Sequence, residues 1–142
     1  MINYSWRISM DMTKDSQITA VSTPNAAEPL GHYSQAMVHN GLVYVSGQLP
    51  IDPKDPDRQV TSIEEETEIT LNNVRAVLQA AGSDLDKVLK VTIYISDISL
   101  WADMNAVYGR FFGDHRPARA AVPTKDLPRG FHVEIEAVAA VG

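Results

Sequence analysis

The chain is expected to fold as an α+β two-layer sandwich, a mixed six-stranded sheet with two helices on one face. Three observations predict it. Asn40-Gly41 separates two apolar runs, two long stretches repeat their apolar residues at helical spacing, and Lys87–Ser96 and Phe131–Val141 alternate with a period of two. At 142 residues the chain has room for one core and little else. Apolar residues make up 44% and charged residues 21%, the balance of a folded domain rather than a disordered one.

Gln17–Ser22 alternates β-branched and polar residues and reads as the first strand, leaving residues 1–16 as an N-terminal extension and 17–142 as one domain. Met1–Ser22 carries Arg7, Asp11, Lys14 and Asp15 and lacks the apolar run of a signal peptide. Ser34–His39 and Leu42–Ser46 form a hairpin, because a type I′ turn needs positive φ at both central residues and Asn40-Gly41 supplies it. Ile51–Thr61 contains two Asp-Pro steps and reads as an exposed loop, since proline cannot donate to a ladder. Ser62 and Glu65 have the spacing of a capping box, with Glu65 reaching back to the cap. Thr67, Leu71, Val74, Leu78 and Ala81, with Thr70 and Val77 beside them, form one stripe on a helix that Gly82 ends. A short helical turn is expected after Ser83.

Lys87–Ser96 places Leu89, Val91, Ile93 and Ile95 on one face and Lys90, Thr92, Tyr94 and Ser96 on the other. Ser99 opens the second helix, whose stripe of Leu100, Met104, Val107, Tyr108 and Phe111 reads as core, and Gly113 closes it. Ala118–Val122 and Phe131–Val141 complete the order β–β–β–α–β–α–β–β. So short a chain has no third layer for the far face of the sheet, which makes a partner copy the expected cover.

Composition narrows the chemistry. With no cysteine, a disulfide scaffold, a thiolate nucleophile and Cys-ligated metal sites are excluded, and a reducing, cytoplasmic location fits. The net charge of −6 repels phosphate backbones, so nucleic-acid binding is not expected. No apolar stretch is long enough to span a bilayer. His32, His39, His115 and His132 form no metal-ligand spacing, and Gly47, Gly82 and Gly109 belong to no nucleotide-binding pattern, so neither a metal nor a cofactor is expected.

Two features remain. In the last strand His132, Glu134 and Glu136 share one face, while Val133, Ile135 and Ala137 share the other. Carboxylates inside a half-buried strand are costly unless paired, and desolvation raises their pKa toward general acid–base use. The alternative is an ion pair across a subunit interface, for example with Lys90. Arg119, after the extended entry set by Pro117, stands on a short apolar strand and suits bidentate capture of a carboxylate. A plain surface arginine is the alternative there.

Six segments occur together and in order: Gly31-His32-Tyr33-Ser34-Gln35-Ala36, Val45-Ser46-Gly47-Gln48-Leu49-Pro50, Ala80-Ala81-Gly82-Ser83, Asn105-Ala106-Val107-Tyr108, Pro117-Ala118-Arg119 and Val133-Glu134-Ile135-Glu136-Ala137. Their series closely resembles the reactive intermediate (imine) deaminases, the YjgF-type Rid family, whose members are also labelled translation inhibitors or L-PSP endoribonucleases. The resemblance covers about residues 17–142. It implies a chorismate-mutase-like fold, a homotrimer with an inner barrel of three sheets, and sites between subunits.

The resemblance also implies hydrolysis of 2-imino and enamine acids, such as 2-aminoacrylate, to 2-keto acids and ammonia. Arg119 then binds the substrate carboxylate and Glu134 handles the attacking water, with Tyr33, Ser46, Asn105 and the Ala121 backbone completing the lining. Glu136 is structural in this reading, and no cofactor or metal takes part. Two departures bear on substrate choice: His32 stands where proline is common, and Ala120-Ala121 stand where hydroxyl and thiol side chains are common.

Overall fold

The structure is a computed structural model that describes residues 17–142. The expected extension at 1–16 lies outside the described residues. Strands β1 (Thr19–Val21), β2 (Ala36–His39) and β3 (Leu42–Gln48) come first, followed by helix α1 (Ile63–Ala80). Then come β4 (Val88–Ile95), α2 (Trp101–Phe112), β5 (Ala118–Pro123) and β6 (Val133–Ala140). The sheet order is β1-β2-β3-β6-β4-β5, so the last strand in sequence fills a central place. Every pairing is antiparallel except β4 with β5. A parallel pair needs a crossover, which α2 supplies.

Local chemistry accounts for most of the elements. Asn40 and Gly41 take φ of 51° and 74°, and His39 pairs with Leu42 across the turn. The expected hairpin therefore forms with both central residues at positive φ. Ser62 caps α1 by accepting the Glu65 N–H at 3.2 Å. Glu65 does not reach back as the capping box predicts, because its carboxylate is held by Arg58 from the preceding loop. Gly82 (φ 80°) ends the helix in a Schellman motif, with the Ser83 N–H donating to the Leu78 carbonyl at 2.9 Å and the Gly82 N–H to that of Gln79 at 3.1 Å. The turn expected after Ser83 is the 3-10 segment Leu85–Lys87.

Three more expectations are corrected. Leu89 does not join the core face of β4. Two steps along β4 (Val88 to Lys90) oppose one along β6 (Ala139 to Val138), and the bulge leaves Leu89 exposed while Val88 turns inward. The second helix is entered through a 3-10 turn capped by Asp97, which accepts the Ser99 N–H at 2.9 Å, rather than by Ser99. Phe112 joins the buried stripe of α2, following Tyr108 at i+4, while Phe111 and Leu100 pack against the core only partly buried.

The core lies between the helices and one sheet face. Leu71, Val74, Val77 and Leu78 of α1 and Met104 and Tyr108 of α2 pack on Val43, Val91, Ile93, Val133, Ile135 and Ala137. Strand β6 alternates strictly, with Val133, Ile135, Ala137 and Ala139 buried and Glu134, Glu136, Val138 and Ala140 half-buried on the far face. That far face carries Tyr44 and Val122 exposed, and no other described segment covers it. No described helix is long and apolar enough to cross a membrane.

Candidate active site

A bulge in β3 builds the first half of the site. Val45 pairs with Ala137 and Gln48 with Ile135, so Ser46 and Gly47 together oppose the single residue Glu136. The extra residue bends the strand and brings its backbone onto the next far-face residue of β6, Glu134. A Cβ on Gly47 would stand 3.0 Å from Cδ of Glu134, closer than carbon atoms pack, so only glycine admits that carboxylate where it sits. The Ser46 hydroxyl donates to the Ser34 carbonyl at 2.6 Å, tying the bulge to the loop before β2. In that loop the Tyr33 hydroxyl accepts the Leu30 N–H at 3.0 Å. Tyr33, Ser46, Gly47 and Glu134 line one cavity of about 390 Å³.

Electrostatics set Glu134 apart from its neighbour. Burial holds the Glu134 carboxyl above its ordinary 4.5, and the charge of Glu136 two residues on adds to the effect. Glu136 accepts a hydrogen bond from the Tyr94 hydroxyl at 2.9 Å. That bond raises the Tyr94 pKa. Lys90 lines the same cavity as Glu136, but among the described residues no ion pair joins them.

The entry of β6 is anchored from α1. Glu66 is 3% exposed and accepts from the His132 N–H at 2.8 Å and from its ring Nδ1 at 3.0 Å. A buried carboxylate satisfied by two donors fixes the strand two residues before Glu134. Its sequence signal was an acid inside the apolar stripe of α1.

The second half of the site gathers around Arg119. Its Nη1 donates to Oδ1 of Asn105 at 2.7 Å. The guanidinium carbon lies 4.7 Å from the centre of the Tyr108 ring and 5.7 Å from that of Trp101. Trp101, Asn105 and Tyr108 recur at i, i+4 and i+7, one face of α2, so the helix offers the arginine an aromatic cradle with a central acceptor. The stripe of α2 is therefore more than core. Among the described residues Arg119 is paired with no carboxylate, and the rest of its donor fork is free. Tyr108 is pushed up to about 12 by burial, against the pull of the Arg119 charge, and its hydroxyl has no hydrogen-bond partner among the described residues. Ala121 lies two residues beyond Arg119 and is half-buried.

Within one chain these halves do not meet. Arg119 and Ala121 share register with Val91 and Ile93 of the helix-facing set, whereas Glu134 shares register with Tyr94 on the far face. Tyr33, Ser46 and Glu134 stand together, and Asn105 and Arg119 stand together at a separate cavity of about 530 Å³. Sequence reasoning missed the roles of Gly47, Trp101 and Tyr108. The helical spacing with Asn105 was a usable signal for the aromatics, whereas the need for glycine at 47 depends on a long-range strand pairing.

Known proteins share this arrangement of elements. Residues 23–141 match the family model described as endoribonuclease L-PSP. A RutC family protein from Pyrococcus horikoshii is 43% identical over 119 residues, covering 84% of this chain and 94% of the relative. The 2-iminobutanoate/2-iminopropanoate deaminase of Bos taurus is 39% identical over 122 residues, covering 86% of this chain and 89% of the relative. The crystal structure of E. coli TdcF with bound serine superposes with a TM-score of 0.82 at 31% identity, covering 87% of this chain and 99% of that one. With a family match from residue 23 to residue 141, all of the described fold but its first short strand and the chain end, and relatives aligned over nearly their full length, the chain belongs to the L-PSP (YjgF/Rid) family.

Proposed function

We propose that the protein is a hydrolytic deaminase of reactive 2-imino and enamine acids, releasing ammonia and a 2-keto acid. The observation that carries this reading is the Arg119 guanidinium, cradled by α2 and free of any described carboxylate, in a chain that also holds a half-buried glutamate with a raised pKa. A bovine relative at 39% identity is named for this reaction, and E. coli TdcF, a structural neighbour, is described with bound serine, which supports an amino-acid-like ligand here. The family is also named for endoribonuclease activity, a reading that a net charge of −6 disfavours.

In the proposed mechanism Arg119 grips the substrate carboxylate through its free N–H groups and turns a loose encounter into an oriented one. Glu134, as carboxylate, takes a proton from water while the water oxygen adds to the imine carbon. The imine nitrogen gains that proton, and the carbinolamine hydroxyl proton passes through Glu134 to the nitrogen. The C–N bond breaks and ammonia leaves. Tyr33, Ser46, Asn105 and the Ala121 backbone line the site, and the chemistry asks for no metal or cofactor.

Because the Arg119 and Glu134 halves face opposite sides of one sheet, the working site joins halves from two chains. Burial of the far sheet face, with Tyr44, Lys90, Thr92 and Glu136, supplies the apolar and polar surface for a homotrimer in the cytoplasm. The test is ammonia release from 2-aminoacrylate by wild type and by Arg119→Ala, with mass measured by light scattering. Loss of turnover in a variant of unchanged mass supports the assignment. Undiminished turnover refutes it, and RNA cleavage that survives with no imine hydrolysis would favour the ribonuclease reading.

A further inference from the structure

The cavity beside Arg119 holds a second guanidinium. Arg116 lines it together with Arg119, His115 and Tyr108, and no aspartate or glutamate lines it. Among the described residues neither arginine is paired with a carboxylate. In a chain with 18 acidic and 12 basic residues, two unpaired guanidiniums in one acid-free concavity are a local reversal of the overall charge. Such a concavity concentrates anions, and a ligand with two negative groups relieves the repulsion between the arginines.

The surroundings fit a ligand longer than a single carboxylate. His115 is held in place by a 2.7 Å contact between its Nε2 and the Val88 carbonyl, which assigns the proton to that nitrogen. Gly109 sits inside α2, where glycine weakens a helix, yet neither a positive φ nor crowding requires it. A Cβ there would meet nothing within 4 Å, and its absence leaves the wall of the cavity open.

We propose that the preferred substrate is a 2-imino acid bearing a second carboxylate, with Arg119 taking the carboxylate next to the imine and Arg116 the distal one. The assignment rests on the deaminase reading above and narrows its substrate class. The reaction is unchanged. Water adds across the C=N bond, the C–N bond breaks, ammonia leaves, and a 2-keto dicarboxylate remains with both carboxylates intact. Arg116 is a specificity residue and takes no part in proton transfer.

The experiment compares two imines made in situ, 2-iminosuccinate from aspartate and 2-iminopropanoate from alanine, each by an amino-acid oxidase. Their hydrolysis is followed by loss of semicarbazide trapping. In parallel, succinate and propanoate are titrated into the protein by calorimetry. Wild type should favour the dicarboxylic imine in kcat/KM by about tenfold or more, and Arg116→Gln should lower that ratio by about ten- to a hundredfold, the scale of one charge-assisted contact. A wild-type ratio near one, or a ratio untouched by Arg116→Gln, overturns the proposal. If wild type hydrolyses neither imine, the deaminase reading fails and the calorimetry decides the pocket. Succinate binding about tenfold tighter than propanoate, with the advantage lost in Arg116→Gln, upholds two-anion recognition. Equal binding of the two acids refutes it.

Discussion

Gly47→Ala separates the position of Glu134 from the stability of the fold. A methyl group at this site would sit 3.0 Å from Cδ and 3.3 Å from Cγ of Glu134. Carbon atoms pack at about 3.5–4.0 Å, and the methyl would overlap Oε1 of Glu134 more deeply still, so the carboxyl end must retreat by about 1 Å or more. The obstructing atoms belong to the end of a flexible side chain, so the strain is relieved by rotating Glu134 rather than by moving the sheet. Gly47 is not among the positive-φ residues, and an alanine there also restricts the unfolded chain, which offsets part of the cost. The net effect on stability is expected within about 1 kcal/mol, a melting shift of about 2–4 °C. A displacement of about 1 Å in a group that activates water costs on the order of a hundredfold in rate. The assay is kcat for ammonia release from 2-aminoacrylate beside a thermal melt of the same preparation. A variant that keeps full kcat shows that Glu134 is not the proton shuttle. One that unfolds shows that the clash cannot be relieved at the side chain.

Three further outcomes follow from the titration and burial of the site. Because burial and Glu136 raise the Glu134 pKa, and the working form is the carboxylate, kcat/KM falls on acidification at a higher pH than an ordinary glutamate would give. The folded state holds this proton more tightly than the unfolded chain, so the associated stability is full below the unfolded pKa and is lost as pH rises through the folded one. Glu134→Gln should then raise the melting temperature relative to wild type more at about pH 7 than at about pH 4, while abolishing turnover. A difference that does not change with pH contradicts the assignment of burial as the cause. Tyr108→Phe removes a hydroxyl buried without a described partner and keeps the ring under Arg119. An orphaned hydroxyl costs about 1–3 kcal/mol, so the melting temperature should hold or rise. A clear drop would reveal a partner for that hydroxyl in the assembled protein.

Local rules and distant pairings divided the information in this chain. The hairpin at Asn40-Gly41, the cap at Ser62, the stop at Gly82 and the alternation of β6 were all legible in the sequence, because each depends on the φ preference or the period of a few consecutive residues. The departures came where a competing partner intervened. Glu65 was drawn to Arg58 of the preceding loop, Asp97 took the cap expected of Ser99, and Leu89 was expelled by a bulge that exists only because β4 pairs with β6. The residue pattern singled out Arg119 and Glu134 and the family resemblance added Tyr33, Ser46, Asn105 and Ala121, but which of them stand together was set by strand order, register and the seat of α2.

The order β3-β6-β4-β5 puts the strand that carries Glu134 beside the Ser46-Gly47 bulge, and the β4–β5 register turns Arg119 toward α2 on the other side. By itself the sequence determined which stretches become strands and helices, where they stop, and which charged groups interrupt an apolar pattern, since those are properties of neighbours along the chain. Only the tertiary structure decided that Gly47 must lack a side chain, that Trp101 and Tyr108 cradle Arg119, and that the guanidinium and the glutamate face opposite sides of one sheet. Those facts depend on strand order and register, which arise when segments far apart in sequence bury their apolar faces together.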